Sequence, residues 1–203
     1  MKNTICNIIA ILFVASGFSQ SAEEYYKTGM ELYDNYDTKR EAWESFTKAI
    51  EIDTNFKEAY YARGKFSDQS DSIRIANYSK AIELDIYFKE AYFERGGVKS
   101  SNLEDYKSAI SDFSKAIEHG LNSKYVYFER AYANFQLKNY AEAIPDFTKA
   151  IEIDPEYNSA YYYRGYAKVL KGQKEKDNGC LDLNKAGELG LQNSYDIINE
   201  HCK

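Results

Sequence analysis

Proline and tryptophan are nearly missing from this chain, with two prolines, Pro145 and Pro155, and one tryptophan, Trp43, in 203 residues. Proline removes an amide hydrogen and its ring clashes with the preceding turn, so little here forbids nearly continuous helix. Histidine is scarce as well: His119 and His201 are the only two, and neither has Cys, Asp or Glu partners at metal-ligand spacing. No metal site and no cofactor are expected. A phosphate loop is missing too, because Gly96-Gly97 follows no strand and precedes no Gly-Lys-Ser/Thr. No serine stands in Gly-x-Ser-x-Gly. The acidic pairs Glu23-Glu24 and Glu104-Asp105 fall at helix starts, where carboxylates complement the helix dipole. No catalytic residue is assigned.

Positive charge is also in short supply. The formal net charge is −6, and loss of an N-terminal segment holding Lys2 would make it −7. Nucleic acid is therefore disfavoured as a partner, since phosphate backbones need basic grooves. Long apolar runs are limited to one: Ile8-Ile9-Ala10-Ile11-Leu12-Phe13-Val14-Ala15, preceded by Lys2 and followed by small residues Ser16, Gly17 and Ser19. That is the three-part pattern of a secretory signal peptide, expected over residues 1–19, with cleavage before Gln20 or, second, before Ala22. The run is far shorter than the about 20 residues of a membrane span. Cys6 lies inside it rather than at its end and is not read as a lipid-attachment cysteine. Export to the periplasm or the exterior, with no membrane span after cleavage, is the expectation.

What the chain does have is 20 tyrosines and 11 phenylalanines, with 44% hydrophobic and 29% charged residues overall. Tyrosine suits half-buried positions, where the ring packs and the hydroxyl stays wet. One motif recurs five times: Tyr25-x-x-Thr28-Gly29, Tyr60-x-x-Arg63-Gly64, Tyr92-x-x-Arg95-Gly96, Tyr127-x-x-Arg130-Ala131 and Tyr161-x-x-Arg164-Gly165. The small residues are 35, 32, 35 and 34 positions apart, a mean of 34. A second motif follows each first one: Phe46-x-x-Ala49, Tyr78-x-x-Ala81, Phe113-x-x-Ala116, Phe147-x-x-Ala150 and a degenerate Leu183-x-x-Ala186. Tyr and the small residue four along share a helix face, and the small residue lets a second helix approach. Asp53, Asp85 and Asp154-Pro155 close their repeats. Pro145 falls inside a predicted helix, which it should weaken or bend at a cost of up to about 3 kcal/mol.

These motifs resemble the tetratricopeptide repeat (TPR) family from Ala22 to about Leu191, and with the signal segment the chain is similar to exported bacterial TPR proteins. The segment 124–157 has the family spacing without gaps. The resemblance implies an all-α fold, a right-handed α-solenoid of five helix pairs and a cap. Its expected boundaries are 22–56, 57–88, 89–123, 124–157, a degenerate 158–192 and a capping helix over 193–203. The second pair is short by two residues, the first and third carry one extra, and the fifth carries two extra around Gly172 to Gly179. Such changes map to turns, which tolerate them.

The resemblance also implies a groove, lined by the first helices, that takes up a peptide or partner helix. The residue after each motif tyrosine and the one four further on face it: Tyr26 and Met30, Tyr61 and Lys65, Phe93 and Gly97, Phe128 and Tyr132, Tyr162 and Tyr166. Phe128, Tyr132, Phe135, Tyr162, Tyr163 and Tyr166 should form one aromatic wall, with Glu94 and Glu129 beside it favouring a basic ligand. The family's basic clamp for C-terminal carboxylates is not found. Arg63, Arg95, Arg130 and Arg164 are expected to lie over tyrosine rings and pair with carboxylates rather than to form a free basic ladder. Cys180 and Cys202 stand eleven residues either side of Leu191, so an antiparallel helix pair turning there would bring them level as a disulfide. The functional expectation is a non-catalytic interaction scaffold with a protein or peptide partner. The alternative is an accessory subunit of a cell-envelope enzyme or polysaccharide-handling complex.

Overall fold

The computed structural model describes residues 20–66 and 68–202. The expected signal segment, residues 1–19, lies outside them. The described residues form eleven α-helices, one 3-10 turn and no strand. None of these helices is long and apolar enough to cross a membrane. They divide into two compact units, the first ending at Phe66 and the second beginning at position 67.

The first unit holds α1 (Ala22–Tyr33), α2 (Lys39–Ile52) and α3 (Lys57–Gly64), with a 3-10 turn at Tyr36–Thr38 between α1 and α2. Ser21 starts α1 through a capping box: its hydroxyl accepts from the Glu24 amide, and the Glu24 carboxylate accepts from the Ser21 amide. Phe46 is fully buried with Ala42, Ala62 and Phe66, and Tyr26, Leu32, Tyr33 and Trp43 close over them. The small residue of the first motif has the role expected of it. A Cβ on Gly29 would lie 2.6 Å from the Phe46 ring, so a side chain there would push α1 away from α2.

The second unit holds α4 (Asp71–Leu84), α5 (Lys89–Ser101), α6 (Tyr106–Glu118), α7 (Lys124–Gln136), α8 (Tyr140–Ile153), α9 (Asn158–Lys171), α10 (Gln173–Glu188) and α11 (Ser194–His201). Each of these helices packs on the next in chain order. The motif aromatics of the second helices are the core: Tyr78, Phe113 and Phe147 are fully buried, as is Leu183 where the motif degenerates. Burying one such side chain contributes about 1.5–3 kcal/mol. Two turns close alike. Asp85 and Asp154 end α4 and α8, and their carboxylates accept from the amides of Tyr87 and Glu156, while Phe88 and Tyr157 begin the next helix. In the last pair Gly165 faces Gly179, and a Cβ on either would stand 2.7 Å from the other's carbonyl oxygen. Only two glycines permit that backbone approach. Helix α8 runs through Pro145 without ending, and Pro145 lines an open cleft with Ile110, Ser114, Arg130, Asn134, Glu142 and Asp146.

Candidate interaction surface

The repeated arginines are engaged. Arg95 donates through Nε and Nη2 to the two oxygens of Asp112 at 2.9 and 2.6 Å, and through Nη1 to the Ser79 hydroxyl at 3.0 Å. Arg130 does the same with Asp146 at 2.7 and 2.8 Å and with Ser114 at 3.2 Å. Arg164 repeats it with Asp182 at 2.8 and 2.6 Å and with Thr148 at 3.1 Å. Lys99 and Lys168 add second cations to Asp112 and Asp182 at 2.8 and 2.7 Å. In the first unit Arg63 reaches the Thr47 hydroxyl at 3.5 Å and lies over the Trp43 and Tyr60 rings. Arg95 and Arg164 lie over Tyr92 and Tyr161 in the same way. Two-pronged pairing of a planar guanidinium with a carboxylate fixes geometry as well as charge. Arg95, Arg130 and Arg164 therefore each join their own helix pair to the second helix of the pair before it.

The six aromatics of α7 and α9 are in ring contact with one another. Tyr163 is the hub: its ring centroid is 5.8 Å from Phe128, 5.2 Å from Tyr132, 5.3 Å from Phe135 and 5.0 Å from Tyr162. Tyr166 extends the group, 5.5 Å from Phe135 and 6.2 Å from Tyr162. Phe128 and Tyr132 stack along α7 at 6.3 Å. The surface is anchored from beneath by the buried Phe147 ring, which touches both Phe128 and Tyr163. All six are half-buried, so each is packed in part and open to solvent in part.

Three other residues expected on the groove have contacts of their own. Phe93 packs on Phe113 at 5.9 Å, Tyr26 packs on Phe46 and Phe56, and Tyr61 lies under the Lys65 ammonium. Sequence reasoning missed Tyr157, whose ring is 5.0 Å from Phe128 and 4.9 Å from the Lys124 ammonium. A signal for it existed: Phe56, Phe88 and Tyr157 all stand three residues after the closing aspartate of a second helix.

Burial is the largest cause of every shift at this surface. Burial raises the Glu129 carboxyl above the usual glutamate value. The Tyr157 phenol is pushed up to about 12 by burial first and by the Glu129 charge second. Tyr163 also rises to about 12, through burial, then Tyr132 and Tyr162, with Glu129 contributing. Burial and the neighbouring Tyr166 raise Tyr162 as well. Among the described residues no group of three His, Cys, Asp or Glu side chains could hold a metal ion.

Cys180 on α10 and Cys202 after α11 form a disulfide, with Cα atoms 5.9 Å apart. The cap α11 packs on α10 and α9.

A fold of successive packed helix pairs, with rings gathered on the first helices, places the chain among the all-α solenoids. Residues 125–157 match the Tetratricopeptide repeat family. The solved MamA protein is 22% identical, with a TM-score of 0.71 over 85% of this chain and 96% of that one. YrrB, described as a TPR protein with an unusual peptide-binding site, is 25% identical, with a TM-score of 0.67 over 73% of this chain and 76% of that one. The C-terminal part of a TPR repeat-containing protein from Cytophaga hutchinsonii is 20% identical, with a TM-score of 0.71 over 90% of this chain and 72% of that one. No curated protein matches the chain significantly. The fold is that of tetratricopeptide-repeat proteins, and the segment 125–157 is itself such a repeat.

Proposed function

We propose that the chain is a non-catalytic interaction scaffold that binds a peptide segment or partner helix across the first helices α7 and α9. The observation that carries this reading is the six-ring surface centred on Tyr163. Rigid, half-buried aromatics offer large contact area at small ordering cost, which is why they dominate binding hot spots. The peptide-binding site of YrrB, a protein of the same fold, supports it. Export belongs to the proposal. It rests on the pattern of residues 1–19, and the Cys180–Cys202 disulfide is in keeping with an oxidising compartment.

The test is crosslinking in the native host to recover the partner, followed by its affinity for the Tyr132→Ala, Tyr166→Ala double variant with helicity and melting checked. A loss of about 2 kcal/mol or more is expected, as for a hot spot, and a change under about 0.5 kcal/mol would move the partner elsewhere. Catalytic activity recovered with the partner would favour the accessory-subunit alternative. Mass spectrometry of the native protein tests export, with a mature N-terminus near Gln20 expected and an intact Met1 on the abundant form contradicting it.

A further inference from the structure

Glu129 sits on α7 four residues after Tyr125 and three before Tyr132, so it shares their helix face, and those two rings touch Tyr157 at 6.2 Å and Tyr163 at 5.2 Å. Phe128 in turn touches both Tyr157 and Tyr163, and the Glu129 charge acts on both of those phenols. The carboxylate is half-buried, yet it makes no hydrogen bond and no ion pair among the described residues. The cations nearest it along α7 are committed elsewhere: Lys124 donates to Asp154, and Arg130 is forked onto Asp146. A desolvated acid with no counter-charge raises the free energy of the native state, and a cation arriving from outside offsets that cost.

We propose that Glu129, with the rings of Phe128, Tyr157 and Tyr163, forms a receptor for an arginine side chain presented by the partner peptide. This deepens the scaffold reading above and rests on it. Arginine fits better than lysine because its planar guanidinium can stack on a ring and fork onto one carboxylate simultaneously, and it sheds water more readily than an ammonium. The same carboxylate repels a C-terminal or side-chain carboxylate, so acidic peptides are poor occupants.

The experiment uses the mature full-length chain and two probes of one shape and different charge, N-acetyl-arginine amide and N-acetyl-citrulline amide, titrated by NMR. The expected result is that arginine amide shifts the Glu129 side-chain carboxyl carbon and the Tyr157 and Tyr163 ring signals, with a Kd about tenfold below that of citrulline amide. Glu129→Gln, which keeps shape and loses charge, should bring the two probes within about twofold of each other. Equal binding of the probes to the unaltered chain overturns the proposal, as does a shift map centred elsewhere. A Gln variant that keeps the arginine preference overturns it too. If that variant does not fold, the unaltered chain decides: the Glu129 titration midpoint must fall when arginine amide is added, and an unmoved midpoint is a refutation. Failure here leaves the wall intact if the Tyr132→Ala, Tyr166→Ala variant still loses the recovered partner, so the two readings fail separately.

Discussion

The ring of Tyr166 on α9 lies 6.3 Å from the imidazole of His201 at the end of α11, so the aromatic surface stops against the cap. The residue after His201 is Cys202, whose sulfur is bonded to Cys180 on α10. The boundary of the candidate binding surface is thus set by a helix that a covalent bond holds.

Cys202→Ser, or reduction of the unaltered chain, should lower stability by up to about 3 kcal/mol, the value for closing a loop of this size. The loss should be local. Hydrogen exchange is expected to show α11 amides losing protection while α7 and α8 keep theirs, and a melting temperature unchanged by reductant would contradict the prediction.

Asp146→Ala should destabilise the protein by about 2 kcal/mol, because it strands the Arg130 guanidinium; a fully buried pair would cost more. The two side chains are 24% and 12% exposed, which sets that intermediate size. The Lys149–Glu152 pair one turn along is open to water, and Glu152→Ala should change little. Urea unfolding of the two variants compares them directly.

Two glycine-to-alanine changes should have opposite signs. Gly165→Ala drives a Cβ to 2.7 Å from the Gly179 carbonyl oxygen and 2.9 Å from Leu183, and should cost about 1–3 kcal/mol by overpacking. Gly97→Ala in the interior of α5 meets nothing within 4 Å and should stabilise by about 0.5–1 kcal/mol through helix propensity. Thermal melts of both read the difference.

Glu129→Gln should stabilise the free protein at neutral pH and not at acid pH. Burial raises the folded-state value of Glu129, so its contribution to stability is fully present below the unfolded glutamate value and is lost as pH rises through the folded one. Burial holds the Tyr157 and Tyr163 phenols up at about 12, so both stay neutral throughout this window. Lys124, whose ammonium is 4.9 Å from the Tyr157 ring, remains paired with Asp154 through the window's upper part. Denaturant unfolding between about pH 4 and 8 should therefore show the two curves diverging as pH rises, with parallel curves as the contrary result.

Much of this was legible because a repeat states each residue's surroundings several times over. The Tyr-x-x-x-small and aromatic-x-x-Ala motifs place both faces of every helix pair, and they located Phe46, Phe113 and Phe147 in the core. The disulfide was legible as well, since Cys180 and Cys202 are equidistant from the turn at Leu191. The carboxylates that pair with the arginines were anticipated in kind but not named. Asp112, Asp146 and Asp182 lie 17, 16 and 18 residues beyond their arginines, a separation that acquires meaning only when two helices are set face to face. Tyr157 was passed over because Asp154-Pro155 reads as a stop signal, and the aromatic after it looks like loop. Contact between Tyr166 and His201 had no sequence signal, because it depends on how the cap lies.

The spacing of the arginine ladder constrains where the chain can change length. Each arginine reaches a hydroxyl 16 positions back, at Thr47, Ser79, Ser114 and Thr148 alike, while the distance forward to the aspartate varies. All the length variation has therefore been absorbed inside helix pairs, and none at the junctions between them. Foreign residues or a reporter loop spliced beside Gly172 or after Leu103 would leave every rung in phase. The same insertion after Asp85 or Asp154 would put the rung that spans it out of register, Ser79–Arg95 or Thr148–Arg164, so the first kind of turn is the place to engineer and the second is not.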